Sequence, residues 1–427
     1  MKITKLSLVA ALLIGSSAMA LENTKVTGDA NLYYQTTDAK DLSDLDRGEG
    51  SLFDAASSSA TASLNLNVTT DLVKNDTIAL SAGAGYTVLT TLGLENNLVG
   101  NVWGGSQTIT KNTSAFGYSV NNTTWVNEAW LAATAGNTTV KLGRMELDTP
   151  LAFTEKWSIE KNTFEAAVLI NTDIPDTTVV AAFIGNGNGT EAFGEDTLQS
   201  NTQGYNLSSA AVVNGDGTFA TYGKNGAYAV GMINNSVKPL TVQAWYYDLT
   251  RLATAYWVQA DVDAGLLAKG LSAGVQYSGV TADGGDENTV AAGKIAYDAG
   301  TFSVSGAYSK VSETGTLAAA GFNTATAAGT TQSKLYTEAQ WNFGNVTKQG
   351  AKSVNVTVES SVGGIDLGLY ATSINHVAAN SDLLEVAAKA SKSFGPIDAS
   401  VLYLYVATDA VSATKDNVLQ VYLTANF

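Results

Sequence analysis

The chain has 427 residues, with 15% charged, 41 Gly, 4 Pro and no Cys. A soluble domain carries roughly 25% charge, so a surface wet on every side is disfavoured, and the missing thiols exclude a disulfide framework or a thiolate metal site. The excess of 39 acidic over 23 basic side chains, a net charge of −16, excludes the basic footprint of a nucleic-acid binder and would attract cations instead.

Lys2 and Lys5 precede an apolar run from Leu6 to Ile14 broken only by Ser7, and Ala18-Met19-Ala20 places small residues where a signal peptidase cuts. An apolar run of about nine residues is too short to cross a hydrocarbon core that needs about 20. Residues 1–20 are therefore expected to be a cleaved signal peptide and 21–427 the mature chain. Losing Lys2 and Lys5 takes the net charge from −16 to −18.

Beyond residue 21 the apolar and polar side chains alternate with a period of two, the signature of strands with one face in each medium. Val26, Gly28, Ala30, Leu32 and Tyr34 oppose Thr27, Asp29, Asn31 and Tyr33. The same holds for Leu64, Leu66 and Val68 against Ser63, Asn65 and Asn67, and for Val354, Val356 and Val358 against Asn355, Thr357 and Glu359. Segments of about ten residues fit a tilted membrane strand. The pattern predicts eighteen of them: 25–35, 60–70, 76–88, 125–134, 138–145, 164–172, 177–185, 226–234, 239–248, 254–263, 270–279, 289–298, 301–310, 352–361, 365–373, 383–394, 397–407 and 416–427. Segment 334–343 also alternates, but it would make the count odd and is assigned to a long external loop.

Short connections near 71–75, 135–137, 173–176, 235–238, 264–269, 299–300, 362–364 and 395–396 interleave with long ones near 36–59, 89–124, 146–163, 186–225 and 311–351. Short periplasmic turns and long external loops characterise bacterial barrels. Pro175, Pro239 and Pro396 fall at short turns and Pro150 in a long loop, so none removes a ladder hydrogen bond from a central strand. The last segment alternates Leu419, Val421, Leu423, Ala425 and Phe427 against Gln420, Tyr422, Thr424 and Asn426. With Tyr422 on its wet face and Phe427 at its end, it reads as the closing strand of an outer-membrane barrel. The expected fold is thus all-β: one transmembrane antiparallel barrel of about 18 strands. The rival, a secreted soluble β-helix or sandwich, would show a fixed internal repeat, and none is found.

Val140-Lys141-Leu142-Gly143-Arg144-Met145-Glu146-Leu147-Asp148-Thr149-Pro150-Leu151, followed by Asn162-Thr163-Phe164-Glu165-Ala166-Ala167-Val168, resembles a strand-to-loop passage of the Campylobacter-type major outer membrane proteins and OprD-like porins. Ala166 stands where that family often has Gly. Leu335-Tyr336-Thr337 and Trp341 resemble a second element, in a long loop. The resemblance covers about a tenth of the chain by motif. It implies an 18-stranded barrel in outer-membrane lipid and lipopolysaccharide, a homotrimer, passage of small hydrophilic solutes, and a third long loop folded into the lumen.

Loop 146–163 holds Asp148, Glu155, Lys156, Glu160 and Lys161 between a strand bearing Lys141 and one bearing Glu165, both taken as inward. Mixed charge at a narrowing sets ion preference; a solvated surface loop would have the same composition, and the resemblance favours the constriction. Trp157 reads as an apolar anchor for the loop. Arg144 faces lipid by strict alternation, so either a bulge turns it into the lumen, as the resemblance implies, or it sits at the rim paired with an acid.

Catalysis finds little support. The single histidine, His376, falls in a predicted external connection, and neither GxSxG nor HExxH occurs. No cofactor is expected. The acid clusters Asp38, Asp41, Asp44, Asp46, Glu49 and Asp283, Asp286, Glu287 lack the EF-hand order; they read as solvated loop charge, with Ca2+ the alternative. The expected function is passive diffusion through a weakly cation-selective porin. The alternatives are a substrate-specific OprD-like channel and a plugged barrel serving as an adhesin or structural protein.

Overall fold

The computed structural model describes residues 22–38, 51–54, 57–90, 92–94, 99, 101–102, 123–156, 159–189, 217, 219–223, 225–325, 332–376, 382–409 and 414–427. The expected signal peptide, Trp157 and the acids Asp41, Asp44, Asp46 and Glu49 lie outside the described residues.

Eighteen strands make the wall: β1 (Glu22–Thr37), β2 (Ser58–Lys74), β3 (Ala79–Thr90), β4 (Thr123–Ala135), β5 (Thr138–Met145), β6 (Phe164–Asn171), β7 (Thr177–Gly187), β8 (Ala227–Asn234), β9 (Leu240–Leu249), β10 (Ala253–Asp263), β11 (Leu271–Ala282), β12 (Glu287–Asp298), β13 (Phe302–Val311), β14 (Ala351–Val362), β15 (Ile365–His376), β16 (Asp382–Phe394), β17 (Ile397–Asp409) and β18 (Thr414–Asn426). Two-residue pieces, Asn101–Val102 and Ala220–Thr221, add to β2 and β7 without joining the wall. Each wall strand pairs antiparallel with the next, and β1 pairs β18 from Asp29↔Asn426 to Thr37↔Val418. Phe427 completes the seam by exchanging backbone hydrogen bonds with Gly28 at 2.8 and 2.9 Å. A closed ladder leaves no strand edge, the condition for a sheet in lipid. All eighteen expected strands are present, the last closing the barrel as expected.

The two faces divide as the alternation requires. Leu131, Leu142, Val275, Ile295 and Leu369 are all more than half exposed on the outer wall, while their neighbours Trp130, Lys141, Gln276, Lys294 and Tyr370 face inward. Exposed Tyr228, Tyr246 and Tyr308 lie toward the long-loop end, and Tyr297, Phe302, Phe394 and Phe427 toward the short-turn end. These are two aromatic girdles of the kind that flank a lipid-facing band. Tight turns close the short-turn end; at Gly363-Gly364 both residues have positive φ, 61° and 73°, which a two-residue hairpin of matching twist needs and side chains resist.

The interior is not simply wet. Loop 146–163 and loop 312–350 both enter the barrel. Their Leu151, Phe322, Leu335 and Val346 are buried with Phe164, Ile184, Trp245, Tyr247 and Trp257 of the wall in one apolar cluster. Burying each such side chain stabilises by roughly 1.5–3 kcal/mol, which offsets the ordering of long loops. The external position expected for 334–343 is corrected: the segment belongs to a loop, but that loop crosses the lumen.

Candidate pore constriction

The departure of loop 146–163 from the wall is built by local irregularity. Gly85 and Tyr86 of β3 pair Glu128 and Val126, which leaves Asn127 as an extra residue in β4. Glu165 and Ala166 of β6 pair Asn186 and Ile184, which leaves Gly185 extra in β7. Between them Gly143 has φ +122°, where a Cβ would meet the Ala129 carbonyl. Such bulges bend a strand and re-aim the side chains beside them.

The loop is a narrow hairpin, with bridges Asp148↔Phe153 and Lys156↔Lys161. Its second half packs Ile159 against Tyr33, Leu89 and Trp125 of β1, β3 and β4. Loop 312–350 zips onto its first half. Asn323 accepts the Phe153 N–H at 3.2 Å and donates Nδ2 to the Phe153 carbonyl at 2.8 Å and to Glu155 Oε1 at 2.6 Å. Thr324 donates both its N–H and its hydroxyl to the Leu151 carbonyl, at 2.8 and 2.6 Å. The Gln332 N–H reaches Glu155 Oε2 at 3.1 Å.

Loop 312–350 is tied in turn to the wall. Tyr336 donates its hydroxyl to Asp261 at 2.5 Å and its N–H to Gln276 at 3.0 Å. Thr337 meets Ser309 at 2.7 Å. Glu338 accepts the N–H groups of Ser333, Ala339 and Gly344 at 2.7, 2.9 and 3.1 Å. His376 donates Nε2–H to the Asn345 carbonyl at 2.9 Å. It ends β15 rather than lying in a connection, and it holds a backbone rather than a substrate.

The named loop charges separate into two kinds. Glu155 and Glu160 are buried, and both act as hydrogen-bond acceptors; Glu160 takes Asn65 Nδ2 at 3.1 Å. Burial pushes the Glu160 carboxyl up to about 7, against hydrogen bonds from Ser63 and Asn65 and the nearby Lys156 that lower it, with Asp29 adding to the rise. Burial likewise pushes Glu338 up to about 7 despite its N–H donors. Exposed Lys156, the ion pair Asp148–Lys334, the ion pair Glu146–Lys161, and Lys141 over the Trp130 ring at 4.2 Å are the charges that meet water.

Two candidates are corrected. Arg144 and Glu165 pair across β5 and β6 in register, on the face carrying Leu142 and Leu169. Their neighbours Met145 and Phe164 are the buried, inward ones. Arg144 Nε lies 2.8 Å from Glu165 Oε1, its Nη1 donates to the Val126 carbonyl at 3.0 Å, and its guanidinium stacks on Phe219 at 4.0 Å. The pair therefore sits on the outer side near the long-loop rim, the acid-paired position of the two open for Arg144. Glu165 does not face the lumen, because the residue that shares Lys141's face is Val168.

At the short-turn end a cavity of about 440 Å³ is lined by Asp298, Glu359, Asp366, Tyr370 and Lys389 among others, with acids in excess. Asp38 accepts Asn417 N–H and Nδ2 at 2.5 and 2.6 Å. Among the described residues no group of three or more Asp, Glu or His is placed to hold a metal ion.

No family model matches the chain, and no curated protein matches it. Solved structures do. Pseudomonas aeruginosa OccK9 (OpdG) superposes with a TM-score of 0.70 at 14% identity, covering 95% of this chain and 99% of that one. P. aeruginosa OpdQ gives 0.67 at 13% identity, covering 96% and 99%, and OpdK, in a structure with vanillate, 0.67 at 12%, covering 95% and 99%. The fold is that of an OprD-like porin. At this identity the likeness concerns fold alone, and the comparison with these OprD-like structures does not bear out the Campylobacter-type part of the resemblance.

Proposed function

We propose that this chain is an outer-membrane porin through which ions and small hydrophilic solutes diffuse passively, along the space that loops 146–163 and 312–350 leave against the wall. The observation that carries the reading is a closed cylinder with apolar outward rows and polar inward rows, crossed by two loops pinned to the inner wall. Such a geometry narrows a hydrated lumen without covalent chemistry. Residues 1–20 supply export in this reading. The outward alanines Ala82, Ala84 and Ala371 permit close subunit contact in the proposed trimer, which cross-linking in native membranes would remove if it yielded monomers only.

Weak cation selectivity is part of the proposal. Loop charges in ion pairs largely cancel, whereas Asp298, Glu359 and Asp366 outnumber Lys389 at the short-turn mouth, and rings of acid favour cations. A reversal potential measured across a KCl gradient should carry the cation sign. Neutralising Asp366 and Glu359 should bring it toward zero. An anion sign in the unaltered protein would contradict the assignment.

A second reading, a substrate-specific channel, draws on Lys141 over Trp130 and Lys294 over Tyr336 at 4.6 Å. A cation beside a half-buried ring suits an aromatic carboxylate, the chemistry of the vanillate named with OpdK. Saturable block of the ion current by vanillate would favour this reading over general diffusion.

A further inference from the structure

Inward acids of the wall such as Glu128 and Glu359 each accept one side-chain hydrogen bond, from Trp130 and Tyr370. Glu385, on β16, is different. It is 1% exposed, and among the described residues it has no ion-pair partner. Its Oε1 accepts the N–H groups of Gln340 and Trp341 at 2.7 and 3.1 Å, and its Oε2 accepts the N–H and Nδ2 of Asn342 at 2.8 and 2.7 Å. Three consecutive backbone N–H groups of loop 312–350 thus converge on one carboxylate, the arrangement of an anion-binding nest. Charge-assisted bonds of this kind are about twice as strong as neutral ones.

The consequence lies in the residue at the centre of the nest. Trp341 is half-buried and packs against two neighbouring clusters: Tyr33, Leu89 and Trp125 of the wall with Ile159 of loop 146–163, and Leu402, Leu404 and Val418 of the adjoining β17 and β18. Its ring also meets Phe343 at 6.1 Å between centroids. The backbone of 340–342 therefore decides where the largest side chain of this stretch stands in the lumen. We propose that Glu385 is the positioning residue that sets the bore of the channel, by fixing Trp341 against this stretch of the inner wall. The proposal rests on the porin reading above and adds which wall residue fixes the narrowing.

Glutamine at 385 has the shape of glutamate but turns one acceptor into a donor that faces an N–H. Losing a hydrogen bond to a charged group should raise the share of time spent with Trp341 released by roughly tenfold or more for each bond lost. Single-channel recording of the full protein reads this directly. Glu385→Gln should show a wider sublevel that the unaltered channel visits rarely, with larger neutral polyethylene glycols now entering. Trp341→Ala should show the wide level permanently. Adding Glu385→Gln to Trp341→Ala should change the bore no further, a non-additivity expected when one residue acts through the other and not when the barrel is merely loosened. Heat-modifiable gel migration establishes that each variant is folded. The proposal is overturned if folded Glu385→Gln keeps the original bore, or if the two substitutions add. Should Glu385→Gln not fold, Glu385→Asp, which keeps the charge but draws the carboxylate back from the N–H groups of 340–342, should show the same wider sublevel, and an unchanged bore in it overturns the proposal. A silent unaltered protein would instead sink the porin reading.

Discussion

Replacing Val356 by arginine is expected to destabilise the inserted barrel by about 2–4 kcal/mol, the cost of an arginine on a lipid-facing strand near mid-bilayer. Val356 lies in the middle of β14, is exposed on the outer wall, and pairs Gly306 and Ala371 on the same face. Thr357 is one position further and points inward, where its hydroxyl donates to Asn355 at 3.0 Å. Arginine there enters water, so Thr357→Arg should cost far less. Urea titrations of refolding into lipid vesicles, followed by heat-modifiable migration, would measure the pair. Equal costs at the two positions would mean that the outer face does not meet lipid.

The second large effect is a dependence of the bore on pH. Glu160 ties loop 146–163 to β2 through Asn65, and Glu338 organises loop 312–350 around itself. Both carboxyls are pushed up to about 7 by burial, against about 4.3 for a glutamate in water. A raised value means that the packed loop binds the proton more tightly than the released one. The packed state therefore has its full advantage below about pH 4 and loses it as pH rises through 7. At 1.36 kcal/mol per unit the difference is roughly 3–4 kcal/mol for each group. The charges facing Glu160 are Asp29 from β1 and Lys156 from its own loop, which act in opposite directions. Open-channel recordings should thus be quieter at pH 5 and show more wide-level excursions at pH 8.5. Glu160→Gln, neutral at every pH, should lose its part of that change. Widening on acidification would contradict the linkage.

The wall was legible because its physics is repeated eighteen times. Each strand lies between lipid and a polar lumen, so a two-residue period survives in the residues themselves. The interior was less legible. Glu155, Glu160 and Glu385 look like lumen charges in sequence, but three-dimensional closure buries them as acceptors for donors that lie up to 177 residues away in the chain. The face of Glu165 is not legible in the sequence, because Ala166-Ala167-Val168-Leu169-Ile170 is apolar on both faces and alternation there is silent. The extra residues Asn127 and Gly185 shift parity by one, and no composition marks such an insertion. Loop 312–350 carried a signal in its alternating 334–343, but that period comes from its ties to the inner wall, not from membership of it.

The central claim is that water and small solutes have a continuous way past the two inward loops. Recording the purified, detergent-extracted protein in planar lipid bilayers tests it most directly. The account predicts discrete, ohmic conductance steps in KCl that appear with the folded, heat-modifiable form and vanish on its unfolding. Bilayers that stay silent after demonstrated insertion of the folded barrel would contradict it and leave a plugged structural protein in its place.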